Sequence, residues 1–221
     1  MPPTELILLR HGETDWNRER RIQGQLDTPL NGEGIRQARA AARRLAAERA
    51  RWGLVPAPGG SAPVMVSSDL MRCRQTAEPI AAALGLDCAH DARLRERGFG
   101  VFQGRTYPEV QRDDPERFAR WMHRDPDFEV EGGESLRTFG ARVESALVGL
   151  AVAHRGRTVV VVTHGGVLDV ANRLCRGLAI GAPRDFEIPN AGLNRLRFDG
   201  ERFELLVWGD VGHWQDSLDE L

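Results

Sequence analysis

Two apolar runs in this chain end in the same way. Leu6-Ile7-Leu8-Leu9 leads into Arg10-His11-Gly12, and Val159 to Val162 leads into Thr163-His164-Gly165-Gly166. Uninterrupted apolar runs of this length belong to strands covered on both faces. Both histidines are therefore delivered at the ends of core strands. Two such imidazoles, one beside an arginine, suit phosphoryl chemistry. That chemistry needs a nucleophile, a second proton-sharing group and positive charge to hold an oxyanion.

The rest of the chain alternates in kind. Val64-Met65-Val66 is a third short strand, ending in Ser67-Ser68-Asp69. Asn31 reads as the N-cap of a helix through Ile35, Ala38, Ala42 and Leu45, whose apolar residues recur at three- and four-residue spacing. Asp69 is expected to cap a helix from Leu70 to Leu84 that Gly85 ends, with Pro79 kinking or breaking it. Ser135 caps a long helix reaching about His154, and Val167 to Cys175 continues helically from His164. Leu193 to Phe198 and Phe203 to Trp208 read as a hairpin around Asp199-Gly200. Ala50 to Pro63 reads as a surface loop, and Phe99 to Glu131 as short helices or a lid. Strands alternating with helices imply a mainly parallel sheet with helices on both faces, a three-layer α/β/α sandwich, here in one domain over residues 1–221. Ligands of such sheets bind beyond the carboxyl ends of the strands. Arg10, His11, Ser68, Asp69 and His164 are expected to converge there.

Composition narrows the partners. A formal net charge of −2 gives no reason for a nucleic-acid or membrane surface as partner. All thirty cations are arginine. The absence of lysine excludes a Walker-type phosphate loop and a lysine Schiff base. Cys73, Cys88 and Cys175 are widely spaced and odd in number, which fits a reducing cytosol better than a disulfide framework or a zinc ribbon. The run Leu6 to Leu9 is too short for a signal peptide and is closed by Arg10. A cytoplasmic protein is expected.

Arginine suits phosphate because its planar fork donates two parallel hydrogen bonds. Arg10 adjoins His11, and Arg72 lies one turn into the helix after Asp69. Gly165 and Gly166 open a helix whose first N–H groups favour an anion. A neutral histidine is a competent nucleophile near pH 7, and the departing alkoxide of a phosphomonoester needs a proton. Glu96, within the turn-rich Leu94 to Gly100, is the best donor. Arg97 reads equally as a substrate contact or a solvated charge. Arg74 is assigned to the helix surface, and His90, His123, His154 and His213 receive no role. Trp16 and Phe99 read as packing residues near the pocket. A metal held by His11, His164 and Glu96 is set aside, because the arginines would repel a divalent cation and no HExxH spacing occurs. No cofactor is expected.

The stretch Arg10-His11-Gly12-Glu13-Thr14-Asp15-Trp16-Asn17 resembles the signature of the histidine phosphatase superfamily, which includes the cofactor-dependent phosphoglycerate mutases. Arg21 to Leu30, Ser67 to Ala77, Glu131 to Ser135 and Thr163 to Gly166 continue the likeness in order. The resemblance implies that His11 becomes phosphohistidine and that Arg10, Arg72 and His164 complete the phosphate pocket. It implies further that Asn17, Gln23 and Gly24 line the pocket, and that Glu96 is acid and then base. A small-molecule phosphomonoester is the expected partner, with a homodimer possible at the family level.

Three functions compete: a phosphomonoesterase, a phosphoglycerate mutase, and a catalytically silent phosphate-binding module. A silent binder has no need of His11, His164 and Glu96 together. The mutases carry a tyrosine where Phe99 stands and a carboxylate-binding lysine at the position of Tyr107. Their stretch between the equivalents of Glu96 and His164 is also longer. The phosphatase branch is favoured.

Overall fold

The computed structural model describes residues 2–56 and 58–217. Six strands form one sheet in the order β3-β2-β4-β1-β5-β6. They are β1 (Thr4–Arg10), β2 (Val64–Ser67), β3 (Cys88–His90), β4 (Thr158–Thr163), β5 (Leu193–Phe198) and β6 (Phe203–Asp210). β1 to β4 pair in parallel; β5 runs antiparallel to β1, and β6 to β5. The sheet is the mainly parallel one expected, with β3 an edge strand too short and too polar to stand out in the sequence.

Pleating sends alternate residues to opposite faces. Leu6, Leu8, Val159 and Val161 pack under α6 (Leu136–Ala153) and α7 (Gly165–Arg176). Ile7, Leu9, Val160 and Val162 pack under α2 (Gly32–Ala47) and α3 (Met71–Leu84). All eight strand residues are fully buried, each stabilising the fold by roughly 1.5–3 kcal/mol. The result is three layers, α/β/α. The chain leaves β1 toward the α2 face and β4 toward the α7 face. The crevice between these neighbouring strands is therefore the switch point at which such sheets bind ligands.

A third, smaller core lies beyond the strand ends. Ile22, Phe102, Val110, Phe128 and Val130 form it, backed by Phe99, Phe118 and Trp121. It unites the segment after α1 (Asp15–Arg18) with α4 (Tyr107–Asp113) and α5 (Pro115–Met122). Of the two forms expected between Phe99 and Glu131, short helices or a lid, the structure shows short helices.

The caps at Asn31, Gly85 and Ser135 stand as expected, with Asn31 Oδ1 accepting from Gly34 N–H and Ser135 Oγ from Thr138 N–H. Asp69 does not cap α3. It pairs bidentately with Arg95, and Asp27, from a distant loop, accepts the Met71 N–H at 2.5 Å instead. Pro79 neither breaks nor ends α3, because Cys73, Ala77 and Ile80 are locked in the core on either side of it. Ile35 is exposed; the buried stripe of α2 runs through Gln37, Ala38, Ala41 and Leu45. The Ala50 to Pro63 loop, apart from Ala57, which lies outside the described residues, is pinned by buried Trp52 and Leu54.

The start of α2 abuts the turn after β1. A Cβ on Gly34 would lie 2.1 Å from the Glu13 carbonyl oxygen, and one on Gly12 would lie 2.4 Å from that of Gly34. Both obstacles are backbone. Gly34→Ala is accordingly expected to destabilise the protein by about 1–3 kcal/mol, read as a lower urea midpoint; an unchanged midpoint would show that the two segments can part freely.

Candidate active site

The site is assembled by the register of β1 against β4. Arg10 pairs with Thr163, and the ladder runs one residue further, His11 N–H donating to the Thr163 carbonyl at 2.9 Å. Ser68 N–H likewise extends β2 onto the Val162 carbonyl. His11 and His164 consequently face each other, ring centroids 5.4 Å apart and inclined at 62°.

Each imidazole is oriented by a neighbour. His11 Nδ1 lies 2.7 Å from the Gly12 carbonyl, which can only accept. Nδ1 must therefore carry the proton, leaving the Nε2 lone pair for the cavity that His11 lines. His164 Nε2 meets Ser68 Oγ at 2.8 Å and the buried Cys73 Sγ at 3.3 Å. Burial, and then the Arg72 charge, hold both histidines well below the usual imidazole range; Arg10 adds to this for both. Both are neutral at pH 7. Burial also pushes the Cys73 thiol up to about 12, so it is not a thiolate.

Arg10 gives Nη1 to the Ile188 carbonyl, and Arg72 gives its two Nη groups to the Leu26 and Gly24 carbonyls. In both, Nε is buried and has no partner among the described residues. Burial is the chief influence lowering both guanidiniums, and the charge of Glu96 opposes it in both. Glu96 lies across the cavity. Its two oxygens accept from Arg97 N–H at 2.9 Å and Gly166 N–H at 3.0 Å, the latter at the start of α7. A Cβ on Gly166 would fall 2.1 Å from Glu96 Oε1, so any larger residue there would displace the Glu96 carboxylate.

The cavity, about 460 Å³, brings together Arg10, His11, Arg72, Glu96 and Gly165. His164 lies fully buried just behind them. Asn17, Gln23 and Gly24 line it too, each tied down locally: Asn17 Oδ1 accepts from Thr14, Gln23 Oε1 accepts from Thr28, and the Gly24 carbonyl accepts from Arg72. Arg97 reaches the wall but is no solvated charge. It is nearly buried, with Nε and one Nη given to the Glu134 and Phe128 carbonyls, and burial lowers it to about 10. Arg74 is exposed on α3. Among the described residues, no three His, Cys, Asp or Glu side chains group to hold a metal ion.

Several contributors carry no signal of spacing. Asn190 donates to the His11 carbonyl, Thr76 Oγ1 accepts from Gly12 N–H, and Ser68 sets His164. Arg142, paired with Glu134, donates to the carbonyls of Arg93, Arg95 and Glu96 and so fixes the Glu96 segment.

An anion-holding pocket built round a neutral imidazole defines an enzyme of phosphoryl transfer. The chain belongs to the histidine phosphatase superfamily (branch 1), which it matches over residues 6–211. It is 38% identical to phosphoglycerate mutase-like protein 4 of Arabidopsis thaliana over 96% of this chain and 88% of that one. It is 34% identical to the probable phosphoglycerate mutase GpmB of Salmonella choleraesuis, over 98% of both. The solved structure of a mycobacterial glucosyl-3-phosphoglycerate phosphatase with VO3 superposes with a TM-score of 0.76 at 35% identity, over 93% of this chain and 98% of that one. Among the described residues no helix is long and apolar enough to cross a membrane.

The depressed histidines have a consequence for stability. Below pH 6.5 an unfolded histidine takes up a proton that the folded chain refuses, so stability falls as pH falls. The depressed carboxylates act lower, below about pH 4. Between pH 7.5 and 5.5 the wild-type unfolding free energy should drop by about 1 kcal/mol more than that of His164→Asn. Equal drops in urea titrations would show that folded His164 protonates as readily as unfolded.

Proposed function

We propose that the protein is a phosphomonoester hydrolase that acts on a small phosphorylated metabolite through phosphohistidine on His11. The observation that carries this reading is the fixed tautomer of His11. Its Nδ1–H donates to the Gly12 carbonyl, and the cavity that His11 lines is shared with Arg10 and Arg72, whose buried Nε groups have no partner among the described residues. Nε2 attacks phosphorus as the P–O bond to the alcohol breaks. The ring becomes cationic, and the Nδ1–H bond to Gly12 stabilises it. The arginines neutralise charge on the phosphate oxygens, and the neutral His164 contributes a hydrogen bond rather than charge. The proton of the monoanionic ester passes through Glu96 to the leaving oxygen. Glu96 then takes a proton from water as it attacks and the P–N bond breaks, and it hands that proton to the departing phosphate, which regenerates the carboxylate and neutral His11. The three unpaired cysteines fit a reducing cytoplasm, where we place the enzyme.

Phosphoglycerate mutase is the second reading, and the names of two relatives favour it. Against it, the position matching the mutase lysine holds Tyr107, whose ring stacks on Trp121 at 5.0 Å. Incubation with substrate and an acid-free quench should yield an acid-labile, base-stable phosphoprotein that His11→Ala lacks; a phosphoprotein persisting in that variant would refute the assignment. Supplied with 3-phosphoglycerate and catalytic 2,3-bisphosphoglycerate, the enzyme should release phosphate. Isomerisation faster than release by about tenfold, or 1.4 kcal/mol, would make it a mutase.

Glu96 should matter most when the leaving group is poor. An alkoxide needs its proton in the transition state, whereas nitrophenolate leaves largely unaided. Glu96→Gln should slow an alkyl phosphate by about 10²–10⁴-fold and p-nitrophenyl phosphate far less. Equal losses would assign the proton transfer elsewhere.

A further inference from the structure

Glu131-Gly132-Gly133-Glu134-Ser135 contributes no residue to the cavity lining, yet it is bonded to the segment that carries Glu96. The two segments run antiparallel, with Phe99 opposite Gly133. Glu134 N–H donates to the Gly98 carbonyl at 2.9 Å, and Val101 N–H to the Glu131 carbonyl at 3.0 Å. The approach is close. A Cβ on Gly133 would lie 2.6 Å from the Gly98 carbonyl oxygen, and one on Gly100 would meet that of Glu131 closer still. Both obstacles are backbone, so a side chain at either place would push the segments apart.

Side chains complete the attachment. Glu134 Oε2 accepts from Gly98 N–H at 2.8 Å and from Arg142 Nη2 at 2.7 Å, while Oε1 accepts from Arg142 Nε at 2.8 Å. Burial favours the neutral acid, but hydrogen bonds from Arg142 and Gly98 and the charges of Arg142 and Arg97 overcome it, holding Glu134 below the usual carboxylate range. A guanidinium has five N–H donors, and Arg142 uses all of them. Two meet Glu134, and the others meet the carbonyls of Arg93, Arg95 and Glu96. Arg97 Nε donates to the Glu134 carbonyl, and Gln25 Nε2 reaches both the Glu96 carbonyl at 3.1 Å and Glu134 Oε2 at 3.4 Å. Arg93, Arg95, Glu96, Arg97 and Gly98 are thus all tied to Glu134 or Arg142. The carbonyl of Leu94, between them, accepts from Thr163 Oγ1 on β4, beside His164. Glu96 extends its carboxylate from this held backbone, and one of the two N–H groups that orient it, that of Arg97, belongs to the same segment.

We propose that Glu134, acting through Arg142 and the Gly98 N–H, is the positioning residue of the proton transfer: it fixes where the Glu96 carboxylate meets the leaving oxygen and touches no substrate itself. The inference rests on the hydrolase reading with Glu96 as its acid, and deepens it. A proton passes only when the carboxylate is within hydrogen-bond reach of the leaving oxygen. A displacement of about 1 Å can cost on the order of 10²-fold in rate. Lysine at position 142 would keep the charge beside Glu134, but its three donors cannot serve five acceptors.

The test reads one ratio, kcat/KM on p-nitrophenyl phosphate over kcat/KM on glycerol 3-phosphate. Each protein is compared with itself, so the fraction of it that is folded cancels. Glu134→Gln and Arg142→Lys should each raise the ratio by about tenfold, part of the roughly 10²–10⁴-fold that proton transfer contributes. Combined with Glu96→Gln, neither should raise it further, because a residue that acts only through Glu96 then has nothing left to position. Should Glu134→Gln not fold, Arg142→Lys, which keeps a cation beside Glu134, decides alone. A ratio unchanged by these variants while Glu96→Gln raises it would overturn the positioning role alone. So would a ratio that rises equally with and without Glu96. A ratio unchanged in Glu96→Gln would overturn the acid role, and the positioning role with it. In each case p-nitrophenyl phosphate turnover that requires His11 upholds the hydrolase.

Discussion

The hydrogen bond from His11 N–H to the Thr163 carbonyl is the last rung of the β1–β4 ladder, and the rest of the site is placed by it. Because the two strands are parallel and in register, their final residues leave the sheet side by side, at the same height. A slip of one residue would turn each side chain to the opposite face of the sheet. It would bury Arg10 where Leu9 now lies and separate the two imidazoles. The eight buried side chains that alternate between the layers oppose such a slip. The geometry of the site and core packing are therefore enforced by one register.

Placing two histidines among buried arginines carries an electrostatic cost that the surroundings share. Each imidazole stays neutral because a cation beside it and the loss of water both oppose protonation. The guanidiniums in turn remain charged through carbonyl partners at Gly24, Leu26 and Ile188. Those carbonyls belong to loops, so the loops around the strand ends are bound to the site as firmly as the strands. Ser68 and Asn190 complete this, one holding a ring and the other a backbone carbonyl.

Much of this was legible in the sequence, since apolar runs and helix caps depend on neighbours. β1, β2, β4, β5 and β6, the helices after Asn31 and Ser135, and the Gly85 stop all announce themselves locally. The meeting of His11 with His164 followed from strand ends alone. What stayed hidden depends on distant partners. Asp27 caps α3 from 44 residues away, a pairing no local pattern encodes. Asp69 looked like that cap, yet Arg95 claims it. Pro79 passes through a helix because the packing of Cys73, Ala77 and Ile80 outweighs one missing backbone bond. Trp52 and Leu54 anchor a loop whose glycines and prolines suggested only surface. Arg97 illustrates a further limit, for its place beside Glu96 does not show that its guanidinium serves the Glu134 and Phe128 carbonyls. Arg124, Arg173 and Arg184, which pair with Asp169, come from the turn after α5, from α7 and from the segment after it, and only the fold brings them together.

The small core of Ile22, Phe102, Val110, Phe128 and Val130 stands apart from the two cores that clamp the sheet. The residues over the mouth of the cavity therefore have their own packing nucleus. Changes to Phe99, Tyr107 or Trp121 alter the cavity wall while the strand register beneath is held by other contacts. Such an arrangement lets the cavity wall change while the strand-end residues keep their places, because different clusters of side chains pack the two.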